Sequence, residues 1–250
     1  MGPMSSHFSL PPQALDWLVP APGMKVLTLA GSALPLALAA QGHEVFAVDK
    51  NLSVVARLRD AGIVAVAAQA ESLPFDPCQF DAVLAHQSFH RFAPGLVLSE
   101  MARVLRPGGA ASVSLLARDD SVPWVKRLIA LVREIDPRAM KGDFGLDSVE
   151  ALLTSKYFPE YESTTHRQWV STTKPEMLAM VERLPAARGL DEPERERLLA
   201  DVKALYDNAA PSGRDALRLP YQLHCWRAWV DHVELTAPID IDDDGLIIPL

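Results

Sequence analysis

Five short runs in the first half of this 250-residue chain are apolar almost throughout, rather than alternating apolar with polar. They lie at 25–29, 44–48, 63–67, 80–85 and 111–116. A strand that faces solvent on one side alternates. A strand apolar on both sides of its pleat needs cover on both, which is the condition of a parallel sheet with helices above and below. Helical stretches separate the runs, at 34–41, 53–61 and 96–105, and Asn51 stands where it can cap the second of them. Strand and helix in alternation give βαβ units with right-handed crossovers. The predicted fold is therefore α/β: a doubly wound, Rossmann-like, mostly parallel sheet with helices on both faces.

The second half reads differently. Helices are expected at 123–132, 148–155, 174–184 and 192–206, an extended stretch at 161–170, and one long late strand within 217–230. We expect a single domain over 1–250. Its core is 25–125, a largely helical lid follows at 126–210, and a late antiparallel strand and acidic tail occupy 211–250. The charged residues Glu194, Arg195, Glu196 and Arg197 read as a solvated helix face. In the tail, Asp240, Asp242, Asp244 and Gly245 match the opening of a calcium loop. The chain ends before the acid such a loop needs near its twelfth position, so an acidic surface segment is the better reading.

Composition narrows the function classes. Lys+Arg is 24 against Asp+Glu 32, a formal charge of −8, and no run of five basic residues occurs. A phosphate-facing basic surface is not expected from this balance, nor is a nucleic-acid partner. Cys78 and Cys225 lie far apart without a CxxC, which argues against a disulfide scaffold or structural zinc and fits a reducing cytoplasm. The most apolar stretch, 26–40, is too short to span a bilayer and is interrupted by Gly31 and Pro35. No basic segment precedes an apolar run at the start, so neither a signal peptide nor a membrane partner is expected.

In a doubly wound sheet, ligands bind beyond the carboxyl ends of the strands. Gly31 and Ser32 end the first strand, and Asp49 ends the second. A carboxylate there can accept both hydroxyls of a ribose, while turn N–H groups meet the rest of the ligand.

The motifs then resemble a known family. Gly42-His43-Glu44-Val45-Phe46-Ala47-Val48-Asp49 resembles the second strand of the class I S-adenosylmethionine-dependent methyltransferases. Ala70-Glu71-Ser72-Leu73-Pro74-Phe75, followed by Phe80-Asp81-Ala82-Val83, is similar to the stretch around that family's fourth strand. Glu100-Met101-Ala102-Arg103-Val104-Leu105-Arg106-Pro107-Gly108-Gly109 resembles its signature before the fifth. Gln87-Ser88-Phe89-His90-Arg91, Pro123-Trp124-Val125 and Leu219-Pro220-Tyr221 resemble a small-molecule branch of the family. The resemblance implies S-adenosyl-L-methionine as cofactor. It implies a cofactor site at Gly31, Ser32, Asp49, Gln69, Ala70, Glu71 and His86. It implies an acceptor side at Gln87, His90 and Tyr221, with His90 as candidate catalytic base.

Several positions depart from the family pattern. Thr28 stands where the first strand usually carries an acid. The loop Ala30-Gly31-Ser32-Ala33-Leu34-Pro35 keeps one glycine of three and is about two residues short. Gln69 replaces an acid, and Leu116 an asparagine. Side chains in place of glycines move the turn's N–H groups or fill the space where the methionine part lies.

Two readings remain. In the first, the protein methylates a small-molecule acceptor. In the second, it keeps the fold as a catalytically inactive binding or scaffold protein whose altered loop no longer binds cofactor. Other readings have less support. No G-x-G-x-x-G supports NAD, and Ser32 lacks the flanking glycines of a hydrolase elbow. His86 and His90, four apart, lack a third ligand, so no metal is expected. Trp124, Trp169 and Trp226 fit pocket lining or core packing, and a homodimer is possible through the apolar end 246–250.

Overall fold

The computed structural model describes residues 10–31, 33–137, 146–210 and 216–236. Helix α1 (Pro12–Leu18) precedes strand β1 (Lys25–Leu29), and α2 (Ala33–Ala40) and β2 (Glu44–Asp49) follow. Next come α3 (Leu52–Asp60), β3 (Val64–Ala67), β4 (Phe80–His86), a 3-10 turn (Phe89–Arg91), α4 (Pro94–Val104) and β5 (Leu105–Arg118). The second half contributes α5 (Pro123–Ile135), α6 (Leu146–Leu153), β6 (Glu160–Thr173), α7 (Lys174–Glu182), α8 (Pro185–Arg188), α9 (Glu192–Ala209), β7 (Ala216–Trp229) and α10 (Val233–Thr236).

One seven-stranded sheet carries them all, in the order β3-β2-β1-β4-β5-β7-β6. Strands β1 to β5 are parallel, and β7 runs antiparallel to both β5 and β6. All five expected core strands are present, and the apolar patterning has the expected cause. In β1 the residues Val26, Leu27, Thr28 and Leu29 are all buried, on two faces. Val26, Leu84 and Leu116 pack with α1, α2, α5, α7 and α9. Leu27, Leu29, Val83 and Val113 pack with α4 and α6 on the other side. The Asn51 side chain accepts from the Ser53 N–H at 2.9 Å and caps α3 as expected.

Three details differ from the sequence reading. Leu105 begins β5 rather than ending the helix before it. The strand expected at 111–116 also begins earlier, with Pro107-Gly108-Gly109 absorbed within β5, where the pairing slips from Phe80↔Leu105 to Ala82↔Ala110. A Cβ at Gly109 would lie 2.9 Å from the Arg106 carbonyl oxygen and 3.0 Å from that of Asp81, so only glycine fits the slip. Finally, the extended stretch expected at 161–170 is longer than expected: it is β6, a fourteen-residue strand at the sheet's edge. The tail's Asp240, Asp242, Asp244 and Gly245 and the apolar end 246–250 lie outside the described residues.

The family-like signature does structural work around this framework. Glu100 receives two bonds from Arg103, Nε to Oε1 at 2.6 Å and Nη2 to Oε2 at 2.8 Å. Glu100 Oε2 also accepts from the Leu73 N–H, while Arg103 donates to the carbonyls of Leu73 and Phe75. A helix ion pair thus holds the loop leading toward β4. Asp81 accepts from the Lys25 N–H at 2.7 Å and pairs with Arg106 at 2.8 Å, tying β1 to the glycine slip.

Strands β6 and β7 pair beyond the end of β5. Arg118 is opposite Tyr221 and Tyr221 opposite Gln168, and the two-stranded ribbon continues to Ala216 and Thr173. It rises past the carboxyl ends of the parallel strands, where α7 follows it directly.

Candidate active site

The carboxyl ends of β1, β2 and β4 converge because these strands are neighbours. Asp49 closes β2 and is 9% exposed. Its Oδ2 accepts from the Gly31 N–H at 2.9 Å, and its Oδ1 from the Asn51 N–H at 2.8 Å. A carboxylate oxygen has two lone pairs, so each oxygen keeps one for a further donor. That is the capacity a ribose diol requires. The β1 end turns through two left-handed residues, Ala30 at φ 65° and Gly31 at φ 87°. A Cβ built on Gly31 would meet nothing within 4 Å, so open space borders the turn. The shortened loop therefore still presents a backbone edge a ligand can approach. Ser32 lies outside the described residues.

At the acid's usual place, Thr28 is buried and its hydroxyl donates to the Phe46 carbonyl at 3.2 Å. It is a sheet residue here and not a ligand-facing one. Gln69 is exposed and forms an isolated bridge with Ser72; Ala70 is buried. Glu71 Oε1 accepts from the Ala93 N–H at 3.0 Å, at the start of α4. These three residues follow β3, beside β2 and its terminal Asp49.

The other side of the rim is the segment after β4. His86 ends that strand, and its Nδ1 lies 2.8 Å from Ser114 Oγ on β5. Burial pushes its pKa down to about 4, so the ring is neutral at pH 7. Gln87 is left-handed at φ 54°, and its N–H donates to the Ser114 carbonyl. Ser88 is buried and donates to the Leu29 carbonyl at 2.8 Å, fastening this segment to the end of β1. His90 sits in the 3-10 turn, its pKa lowered by burial and then by the neighbouring charge of Arg91. The side-chain nitrogens Gln87 Nε2 and His90 Nδ1 are buried without a hydrogen-bond partner. Two such atoms within four residues are unusual, because an unpaired buried polar group costs about 1–3 kcal/mol. The His86 ring is engaged by Ser114, and no group of three metal-ligating side chains occurs among the described residues.

Tyr221 is buried on β7, opposite Arg118. The tryptophans divide. Trp124 is half-buried against the core, Trp226 stacks on His224, and Trp169 is exposed between Arg167 and Arg218. Burial raises the Cys225 thiol to about 12, which makes it an inert apolar residue.

Sequence reasoning missed Ser114 and Asp119, and it quoted Ser88 in a motif without giving it a role of its own. Asp119, just past β5, is 4% exposed, accepts from the Ser121 N–H and pairs with Arg167 of β6 at 2.8 Å. The available signal was polarity in the wrong place: Ser112 and Ser114 interrupt an otherwise apolar strand, which implies buried partners.

An acid ending β2 beside a glycine turn, on a sheet with β7 inserted antiparallel between β5 and β6, defines a Rossmann-like methyltransferase fold. Comparisons agree. The methyltransferase domain family matches residues 29–113. An uncharacterized methyltransferase of Mycobacterium tuberculosis is 34% identical over 232 residues, covering 88% of this chain and 89% of its own. A demethylmenaquinone methyltransferase of Clavibacter sepedonicus is 32% identical over 212 residues, covering 81% and 80%. Among solved structures, a protein of Anaeromyxobacter dehalogenans assigned as a type II methyltransferase superposes with a TM-score of 0.65 at 20% identity, covering 88% of this chain and 97% of its own. The chain belongs to the class I S-adenosylmethionine-dependent methyltransferase family. That membership favours methyl transfer over the inactive scaffold reading.

Proposed function

We propose that the protein transfers a methyl group from S-adenosyl-L-methionine to a small-molecule acceptor. The observation that carries this reading is the Asp49 carboxylate, fixed by Gly31 and Asn51 and still able to accept one further bond at each oxygen. S-adenosylmethionine supplies an electrophilic sulfonium methyl, so the protein needs to orient and, for some acceptors, to take a proton. Asp49 holds the ribose. The turn at Gly31 faces the methionine part, where Ser32 is the expected second contact. Gln69, Ala70 and Glu71 border the adenine, with Gln69 accepting from its amino group. His86 closes the cofactor side. Gln87 donates from Nε2 to the acceptor, His90 takes its proton, and Tyr221 walls the pocket.

An acidic surface disfavours nucleic acid, and a relative named for demethylmenaquinone supports a small-molecule acceptor. No helix among the described residues is long and apolar enough to cross a membrane. Free thiols at Cys78 and Cys225 fit the cytoplasm.

Calorimetric titration with S-adenosylmethionine and S-adenosylhomocysteine tests the reading. Micromolar binding that Asp49→Ala removes is the expected result. No binding of either compound at millimolar concentration by folded protein would overturn it.

A further inference from the structure

Four arginines among the described residues are half-buried: Arg103, Arg118, Arg195 and Arg227. Three of them face a carboxylate, Arg103 on Glu100, Arg195 on Glu192 and Arg227 on Glu162. Arg118 does not. Its Nη2 donates to the thioether sulfur of Met180 at 3.4 Å, and no ion pair joins it to any described residue. A thioether is a weak acceptor, and a guanidinium carries five donors. A half-desolvated cation of that kind ordinarily meets an anion.

The position of Arg118 gives this meaning. It is the last residue of β5, four beyond Ser114, the partner of His86. Four residues of strand span about 13 Å, and side chains at even spacing share a face. Arg118 therefore stands above His86 on the same face of the sheet. It begins a row that continues through Tyr221 of β7 to Gln168 of β6. Leu116, two residues before it on β5, and Tyr221, opposite it, belong to the apolar cluster that α5, α7 and α9 close, and its partner Met180 packs against that cluster. The next residue, Asp119, points to the other face and is already engaged by Arg167 and Ser121, so it does not neutralise Arg118. Among the described residues, Arg118 thus stands beside apolar neighbours and is paired with no carboxylate.

We propose that Arg118 anchors a carboxylate of the acceptor, which is therefore an acidic small molecule with an apolar body. The planar fork of the guanidinium matches a carboxylate through two parallel N–H···O bonds. Arg118 binds and orients, and the proton chemistry stays with the segment after β4. The inference rests on the methyltransferase reading above and narrows it to a substrate class.

Thermal unfolding of protein saturated with S-adenosylhomocysteine separates the two. Probes are benzoate, 4-hydroxybenzoate, cinnamate and citrate, each beside its amide, with wild type, Arg118→Met and Arg118→Lys. In wild type at least one acid should raise Tm by about 3 °C more than its amide, at ten times its Kd. Arg118→Lys should keep part of that difference and Arg118→Met none. S-adenosylhomocysteine alone should stabilise all three proteins alike, which also shows that each variant folds. Acids and amides acting alike, or a difference that survives in Arg118→Met, would overturn the anchor. Failure of S-adenosylhomocysteine to shift wild type would instead remove the reading beneath it.

Discussion

The Oδ2 atom of Asp49 accepts the Gly31 N–H at 2.9 Å, so the ends of two neighbouring strands share one carboxylate. The bond makes two separate predictions for Asp49→Ala. The variant should lose S-adenosylhomocysteine affinity by more than about 100-fold, because a charged acceptor of two hydroxyls is gone. It should also lose about 1–2 kcal/mol of stability, because the Gly31 and Asn51 N–H groups lose their acceptor. Calorimetry reads the first and urea unfolding the second. Full affinity in the variant would remove Asp49 from the site.

Ala30 and Gly31 are both left-handed, and their substitutions should move in opposite directions. A β-carbon in that region costs about 1–2 kcal/mol. Ala30→Gly relieves that strain but adds unfolded-chain entropy, so a gain of at most about 1 kcal/mol is expected. Gly31→Ala should cost about 1–2 kcal/mol from the backbone alone, since its Cβ meets nothing. Denaturant midpoints on the two variants check the pair. Equal losses in both would mean the turn is not shaped as described.

Glu100 and Arg103 hold the 73–75 loop, and Glu100→Gln should destabilise the fold by about 2–3 kcal/mol by leaving a half-buried guanidinium uncompensated. Their bond holds the Glu100 carboxyl below its ordinary range. A depressed carboxylate contributes stability that is complete above the unfolded pKa, near 4.3, and is lost as pH falls through the lower folded value. The variant should therefore lose less than wild type on acidification below about pH 4. Parallel unfolding curves from pH 6 to pH 3 would contradict this.

His86 acts in a higher pH window. Its folded pKa of about 4 lies below the ordinary 6.5, so the unfolded chain takes up a proton first. Stability should be complete above pH 6.5 and fall as pH drops toward 4, by about 2 kcal/mol once the ring's partial exposure is allowed for. His86→Asn should flatten that window. A wild-type curve level between pH 7 and pH 4.5 would show that the ring is not desolvated.

Much of this was legible in the sequence, for reasons that differ by element. The strands were readable because burial on two faces leaves an apolar run with no alternation, as in Val26 to Leu29. The Asn51 cap was readable because its partner, Ser53, lies two residues away. The segment holding His86, Gln87 and His90 was readable through family motifs. Its conformation was not, since left-handed Gln87 is imposed by the Ser114 carbonyl on another strand. Arg118 and Asp119 are adjacent in sequence and look alike as surface charges. Only the β6–β7 ribbon separates them, giving Asp119 a partner in Arg167 and giving Arg118 none among the described carboxylates.

The same ribbon bears on how acceptor preference can diverge among related chains. Tyr221 lies on a strand paired with β5 from Ala110↔Trp229 to Arg118↔Tyr221, and with β6 from Glu160↔Trp229 to Thr173↔Ala216. Sliding that strand by one residue would turn Tyr221, Leu223 and Cys225 away from the apolar cluster and bring the alternate residues Gln222 and His224 into their places. The wall is therefore held by pairing on both of its edges and is not an adjustable flap. Its selectivity changes by exchanging side chains on fixed positions, of which Arg118 is one, while the backbone stays as it is.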